Sequence, residues 1–364
     1  MKASQAVAWL CLALAAACNL LALLLDLSVW HRQALLVGSV ASGDFLSFQR
    51  GAQALLHHAI PADHLPYPPP FFLLSAPFSY IPSLPGYFAW VFAGMLVLAL
   101  AARHFQLGWW SIVLGMLSPP ALYCTVMGQT GLFVSAVLLF ALGLAESQPI
   151  LAGIAAGCLV IKPQFGLLLP VCFLAARNPR AIWAGGMTVT LLCLLATALF
   201  GFSAWRMFFG QNLPAASGLL TAHAGRWQYT MVTVFMLCRS LGASLHVAGV
   251  VQAFVSAAAA LGAWWLWSPG KAIGAAEKVA ATLFLTVLAT PYAYIYDLSA
   301  LAFALLILAK ERRQVWPAIA LFWSFSGIYA VLSTFFFLSG ALFIGAVLIA
   351  IWPRGGKIMA SAPV

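Results

Sequence analysis

Long apolar runs broken by short polar punctuation dominate this chain. The first run extends from about Ala6 to Leu25, long enough for a helix to cross a bilayer. Residues 26–83 then lose that character. Within them, the alternation from Asp44 to Ala59 predicts a short amphipathic helix. A Pro-rich turn follows, and a second interfacial piece is expected from Phe71 to Tyr80. Further apolar spans are expected near 84–102, 107–123, 129–145, 150–161, 164–176, 181–202, 243–267, 279–292, 298–309, 315–334 and 336–352. In lipid a spanning segment must satisfy its own backbone hydrogen bonds, so these runs predict an all-α integral membrane bundle of roughly ten to twelve transmembrane helices. The pattern shows no internal repeat and no charged or Ser/Gly-rich linker. Residues 1–364 therefore read as a single transmembrane domain, with its longest loops at 26–83 and 203–240.

Two of the spans, 150–161 and 164–176, are short, and they meet at Lys162-Pro163-Gln164. Pro163 has no backbone donor and pushes Lys162 out of the helical region. The segment is either two half-helices or one broken helix. Irregular backbone at that depth requires protein or a wet cavity around it.

Composition agrees with the pattern. Hydrophobic residues make up 64% of the chain and charged residues 7%, against about 25% in a soluble domain. The 17 basic and 7 acidic residues give a net charge of +10. With twelve spans and both termini inside, eleven cations fall on the inner face: Lys2, Arg103, Arg177, Arg180, Lys271, Lys278, Lys310, Arg312, Arg313, Arg354 and Lys357. Six fall outside: Arg32, Arg50, Lys162, Arg206, Arg226 and Arg239. That bias follows the positive-inside rule and favours a hairpin over 150–176. No basic stripe with interleaved polar residues suggests a nucleic-acid partner. The seven cysteines form no CxxC pair and read as small buried hydrophobes. Ala15-Ala16-Ala17-Cys18 is close to a lipoprotein cleavage site, but the apolar run continues to Leu25, so an uncleaved first helix is expected.

In this topology the unusual residues converge on the outer face. They are Asp44 in Ser42-Gly43-Asp44-Phe45, the turn Tyr67-Pro68-Pro69-Pro70, Gly128-Gln129 at a helix start, Lys162-Pro163-Gln164, and Tyr294-Ile295-Tyr296-Asp297. Each has a structural reading beside a chemical one. Asp44 could simply favour the first turn of its helix. Asp297 could cap the next span, and Gln129 its own helix. Tyr67-Pro68-Pro69 could be a rigid turn. Lys162 could snorkel, although a cation at that depth calls for an anion. Arg226, with His223, could be a solvated loop charge. His57, His58, His64 and Asp63 read as a hydrated loop, and no metal is expected. No GxGxxG or Walker A pattern marks a nucleotide site, and no cofactor is expected.

These pieces, in this order, resemble glycosyltransferase family 87 of the GT-C superfamily, the polyprenyl-phosphate-mannose-dependent membrane glycosyltransferases. The resemblance rests on Asp44-Phe45 with Gly51, Tyr67-Pro68-Pro69, Leu84-Pro85, Gly128-Gln129, Lys162-Pro163-Gln164, and Pro291 followed by Tyr296-Asp297-Leu298. Phe48 stands where the family often has Tyr. The resemblance implies a GT-C fold in a bacterial inner membrane, with the site facing the periplasm or cell exterior. It implies inverting transfer of a hexose, most often mannose, from a polyprenyl-phosphate donor to a lipid or glycan acceptor. Asp44 would then be the base. Lys162 would hold the leaving phosphate, with Arg226 as a second candidate. Gln129, Asp297, Tyr67 and Gln164 would contact substrate. The alternative is a transporter or flippase of lipid-linked sugars, which uses the same cavity without bond chemistry.

Overall fold

The computed structural model describes residues 43–59, 61, 65–221, 226–333 and 339–353. The first span expected from Ala6 to Leu25 lies outside these. Among the described residues the chain is helical throughout, with no strand and one isolated bridge between Met231 and Tyr294.

The amphipathic segment folds as α1 (Gly43–Leu56), and the Pro-rich turn leads into α2 (Pro69–Ser75) and a 3-10 turn over Ala76–Tyr80. Pro69 and Pro70 occupy the first turn of α2, where a missing N–H costs nothing. Gln49 Nε2 donates to the carbonyls of Phe78 (3.0 Å) and Ile81 (2.8 Å), and Ser83 Oγ donates to Gln49 Oε1 (2.9 Å). These bonds dock α1 on the start of α3 (Ser83–His104). Next come α4 (Trp109–Met116), α5 (Pro119–Met127), α6 (Gly131–Gly143) and α7 (Pro149–Cys158). Two 3-10 turns, Leu159–Ile161 and Pro163–Phe165, then lead to α8 (Leu169–Ala175). After it lie α9 (Pro179–Met207), α10 (Leu213–Thr221), α11 (Arg226–Tyr229), α12 (Val234–Ser240) and α13 (Leu245–Trp267). The described chain closes with α14 (Ala275–Ala289), α15 (Ser299–Glu311), α16 (Trp316–Leu332) and α17 (Gly340–Ile351).

Two expectations change. The span expected over 107–123 is two helices, α4 and α5, bent by 60° at Leu117-Ser118. Pro119 and Pro120 open α5, so the helical ladder cannot run through them. The loop expected over 203–240 is largely helical. α9 kinks at Gly201 (φ 76°, ψ 167°) and a second helical stretch reaches Met207, a π turn follows at Phe208–Asn212, and Thr233 Oγ1 accepts from Met236 N–H to start α12. The break expected at Lys162-Pro163-Gln164 is present, with Lys162 at φ −148°, ψ 70°.

This is an all-α membrane protein. Three helical runs, Ser83–His104, Pro179–Gly218 and Leu245–Trp267, are each long and apolar enough to cross a membrane, and α4 with α5 makes a fourth if the bent pair is one span. Four shorter apolar stretches accompany them: Gly131–Gly143, Pro149–Ile161, Pro163–Ala175 and Gly340–Ile351. α15 is buried along its length from Ser299 to Ala309 and, with α14, forms the centre of the bundle. Large apolar side chains such as Trp110 (87% exposed), Trp183 and Phe254 point outward. Such a surface suits lipid and would aggregate in water. α7 and α9 approach closely, because a side chain at Gly153 would run into the backbone of Ala181.

The polar contacts separate the two ends of the bundle. At one end Arg103 Nη1 donates to Leu107 O (2.8 Å) and Lys310 Nζ to Phe105 O (2.8 Å). Ion pairs join Lys278 to Glu146 (2.6 Å) and Arg312 to Glu277 (2.9 Å) there. α3 runs from this basic end to the other, where Ser83 meets Gln49.

Candidate active site

At the end opposite the basic one, a cavity of about 320 Å³ is lined by Asp44, Tyr67, Gln129, Lys162 and Gln164, among others. Segments far apart in sequence build it. Asp44 sits in the first turn of α1, where the helix dipole favours a carboxylate. Phe45 and Phe48, both buried, fix that turn. Phe45 packs on Trp90 (ring centroids 5.8 Å apart), and Phe48 meets Tyr67 (5.2 Å) and Phe71 (4.9 Å) edge-on. Tyr67 stacks on Phe71 at 4.1 Å, which directs its hydroxyl inward from the Pro-rich turn.

Gly128 ends α5 in the left-handed region, at φ +63°. A Cβ there would also stand 2.7 Å from Phe45 Cβ, so glycine meets both the dihedral and the space. This close approach brings Gln129 to Asp44. Gln129 Nε2 donates to Asp44 Oδ2 at 2.6 Å. Gln129 Oε1 accepts from Tyr67 O–H (3.0 Å) and from the Thr130 backbone N–H (3.2 Å). A backbone N–H can only donate, so it fixes which end of the amide faces Asp44. Burial pushes the Asp44 carboxyl above the ordinary range, opposed by the Gln129 hydrogen bond and then by the Lys162 charge.

Lys162 hangs from the break between the two 3-10 turns and is 3% exposed. Its Nζ lies 2.5 Å from Asp297 Oδ1 and sits over the Tyr296 ring, 5.1 Å from the centroid. Asp297, 2% exposed, also accepts from Tyr294 N–H at 3.1 Å through Oδ2. Asp297 ends the 3-10 turn Ile295–Asp297, and the extended backbone at Tyr294 before it is pinned to the segment before α12. Val232 N–H donates to Ala293 O (3.0 Å), and Tyr294 bridges Met231.

Five of the seven sequence-derived site residues therefore share one cavity. Asp297 lies behind its wall and reaches it through Lys162. Arg226 opens α11, and its side chain lies outside the described residues, as do His223, Asp63 and His64. The wall also includes residues outside the sequence motifs, among them Tyr123, Tyr292, Thr230 and Met127. Tyr294 and Tyr296, noted only as part of a motif, also line the wall. Their signal in the sequence is the clustering of tyrosine at 292, 294 and 296 just before Asp297.

A half-buried carboxylate, an oriented amide and a buried ammonium around one cavity can accept a proton, hold a hydroxyl and balance negative charge. Ionisable groups placed this way in an apolar bundle mark a functional site. The family comparison gives that site its class. The model of glycosyltransferase family 87 matches residues 65–291, well over half of the chain. The chain belongs to glycosyltransferase family 87 and is a membrane glycosyltransferase. No curated protein and no solved structure matches it. Tyr67, Gln129, Lys162 and Gln164 fall within the matched residues, whereas Asp44 and Asp297 flank them.

Proposed function

We propose that this glycosyltransferase moves a hexose, with mannose the first expectation, from a polyprenyl-phosphate donor to a hydroxyl of a lipid or glycan acceptor, with inversion. The reaction takes place on the extracytoplasmic face of the membrane that carries it, a bacterial inner membrane. Asp44 is the base. The acceptor O–H gives its proton to Asp44 as the oxygen attacks the anomeric carbon, and the bond from that carbon to the phosphate oxygen breaks. The phosphate leaves with the electron pair. A phosphate is already a competent leaving group, so one base and one cation suffice.

The observation that carries this reading is the hold of Gln129 on Asp44 inside the cavity that Lys162 also lines. Among the described residues Gln129 engages Asp44 through Oδ2, and in this reading Oδ1 takes the acceptor hydroxyl. Lys162 supplies positive charge toward the departing phosphate. Asp297 holds Lys162 in place rather than touching a sugar hydroxyl. Tyr67 acts through Gln129, Gln164 contacts substrate at the rim, and Arg226 is a second phosphate contact. The extracytoplasmic assignment is supported by the separation of this site from the basic end of the bundle.

The test is incubation of purified protein with radiolabelled polyprenyl-phosphate-mannose and a membrane lipid extract. Label transferred to an extracted product is expected. Label that stays on the donor, or crosses a vesicle bilayer on an unaltered donor, contradicts transfer and favours a flippase.

A further inference from the structure

One wall of the cavity is absent from the chemistry above. Tyr292 and Tyr294 precede the 3-10 turn Ile295–Asp297, Tyr296 lies within it, and all three line the cavity. Tyr294 and Tyr296 are nearly parallel, with centroids 5.2 Å apart and planes at 16°. Tyr123, from α5, lies parallel to Tyr296 at 6.3 Å and 13°. Tyr292 stands across Tyr294 at 83° and 5.4 Å. The two rings meet at right angles in the cavity wall, and the Tyr292 and Tyr294 side chains are hydrogen-bonded to each other. The bridge from Met231 to Tyr294 and the Asp297 bond to Tyr294 N–H hold the corner rigid. Packing alone does not account for rings that end at a cavity instead of filling it.

We propose that the corner of Tyr292 and Tyr294, backed by Tyr296 and Tyr123, is a binding surface for a pyranose ring. A pyranose has an apolar face of C–H groups and a rim of hydroxyls. The corner offers the complement: ring surface for the C–H face and phenol oxygens for the hydroxyls. The bound pyranose is either the donor hexose or a sugar of the acceptor. This inference rests on the cavity being the transfer site, but not on Asp44 being the base.

The test is saturation-transfer NMR on the full chain in nanodiscs, with methyl α-mannopyranoside as the probe. At about 10 mM even a millimolar site is filled. Saturation concentrated on the C–H protons of one ring face is expected. Tyr292→Leu is expected to weaken it about tenfold and Tyr292→Phe less than threefold. Prior addition of polyprenyl-phosphate-mannose assigns the source: loss of the signal marks the donor hexose position, and persistence marks an acceptor sugar. Saturation absent from the wild-type protein, or unchanged in Tyr292→Leu, overturns the proposal. If Tyr292→Leu does not fold, the face selectivity of the wild-type signal decides, and uniform saturation counts against it. Asp44→Asn is expected to bind the probe normally. Normal transfer by Asp44→Asn beside tyrosine-dependent sugar binding would remove the base assignment and leave the tyrosine corner standing.

Discussion

Gln129 Nε2 donates to Asp44 Oδ2 at 2.6 Å, across 85 residues of sequence. The Thr130 backbone N–H at Oε1 fixes which end of the amide faces Asp44, so Gln129 presents a donor to the carboxylate. Gln129→Glu would replace that donor with a second carboxylate. Like charge at this distance raises a neighbouring pKa by a unit or more. The acidic limb of the pH–rate profile is therefore expected to move up by at least about one unit in Gln129→Glu. An unmoved limb would show that Gln129 does not act on the group that sets it.

The raised pKa of Asp44 has a stability consequence of definite sign. Its largest cause is burial, so the fold favours the protonated form. That contribution is complete below the usual carboxylate range and is lost as pH rises through the raised value. At neutral pH the ionised group costs stability, and Asp44→Asn is expected to melt higher than wild type in detergent. The difference should shrink toward acid pH. A lower melting point at neutral pH would indicate that the carboxylate is structural.

Lys162 and Asp297 behave as one unit. Both are almost fully buried, so removing one partner strands the other. Lys162→Met is expected to cost about 3–5 kcal/mol, whereas Lys162→Met with Asp297→Asn should recover much of that. If Lys162 balances the leaving phosphate, transfer stays low in the double variant, by as much as about a hundredfold. Recovery of both stability and transfer would reduce the pair to a structural element. Thermal melts and single-turnover rates separate the two outcomes.

Gly128→Ala tests how the site is assembled. The substitution places a Cβ in the left-handed region and against Phe45, at a cost of about 1–2 kcal/mol. Because Phe45 neighbours Asp44, the resulting shift should open the contact between Gln129 and Asp44. Transfer is expected to fall more than donor binding does. Equal falls in both would show a general loss of fold.

The facing of the two ends can be measured directly. In a background without the seven cysteines, single cysteines at exposed positions 80 and 271 should react with an impermeant thiol reagent from opposite sides of the membrane. Reaction of both from one side would contradict the separation of site and basic end.

Much of this arrangement was legible in the sequence, because lipid leaves backbone groups few choices. Apolar run length located the helices, and Pro163 marked the break that carries Lys162. Scarcity of acids singled out Asp44 and Asp297. The sequence does not say which residues meet. That Asp297 pairs with Lys162, while Gln129 turns to Asp44, depends on packing between segments more than 80 residues apart. The bend at Leu117-Ser118 is hidden in the hydropathy of 107–123, which runs across it, and only Pro119-Pro120 announces it. Polar punctuation hides the apolar faces of the helices after Met207. The tyrosine wall has no helical period to mark it, because Tyr292 and Tyr294 precede a 3-10 turn and Tyr296 lies within it.

In the proposed reaction Asp44 takes the acceptor proton. Asn keeps the shape of Asp and can accept the Gln129 hydrogen bond, but it cannot serve as the base. The decisive measurement is single-turnover transfer from polyprenyl-phosphate-mannose by Asp44→Asn, at equal folded protein and with donor binding measured in parallel. General-base catalysis contributes about 10² to 10⁴-fold, so transfer is expected to fall at least a hundredfold while donor affinity stays within a few fold. Transfer at the wild-type rate would contradict the account.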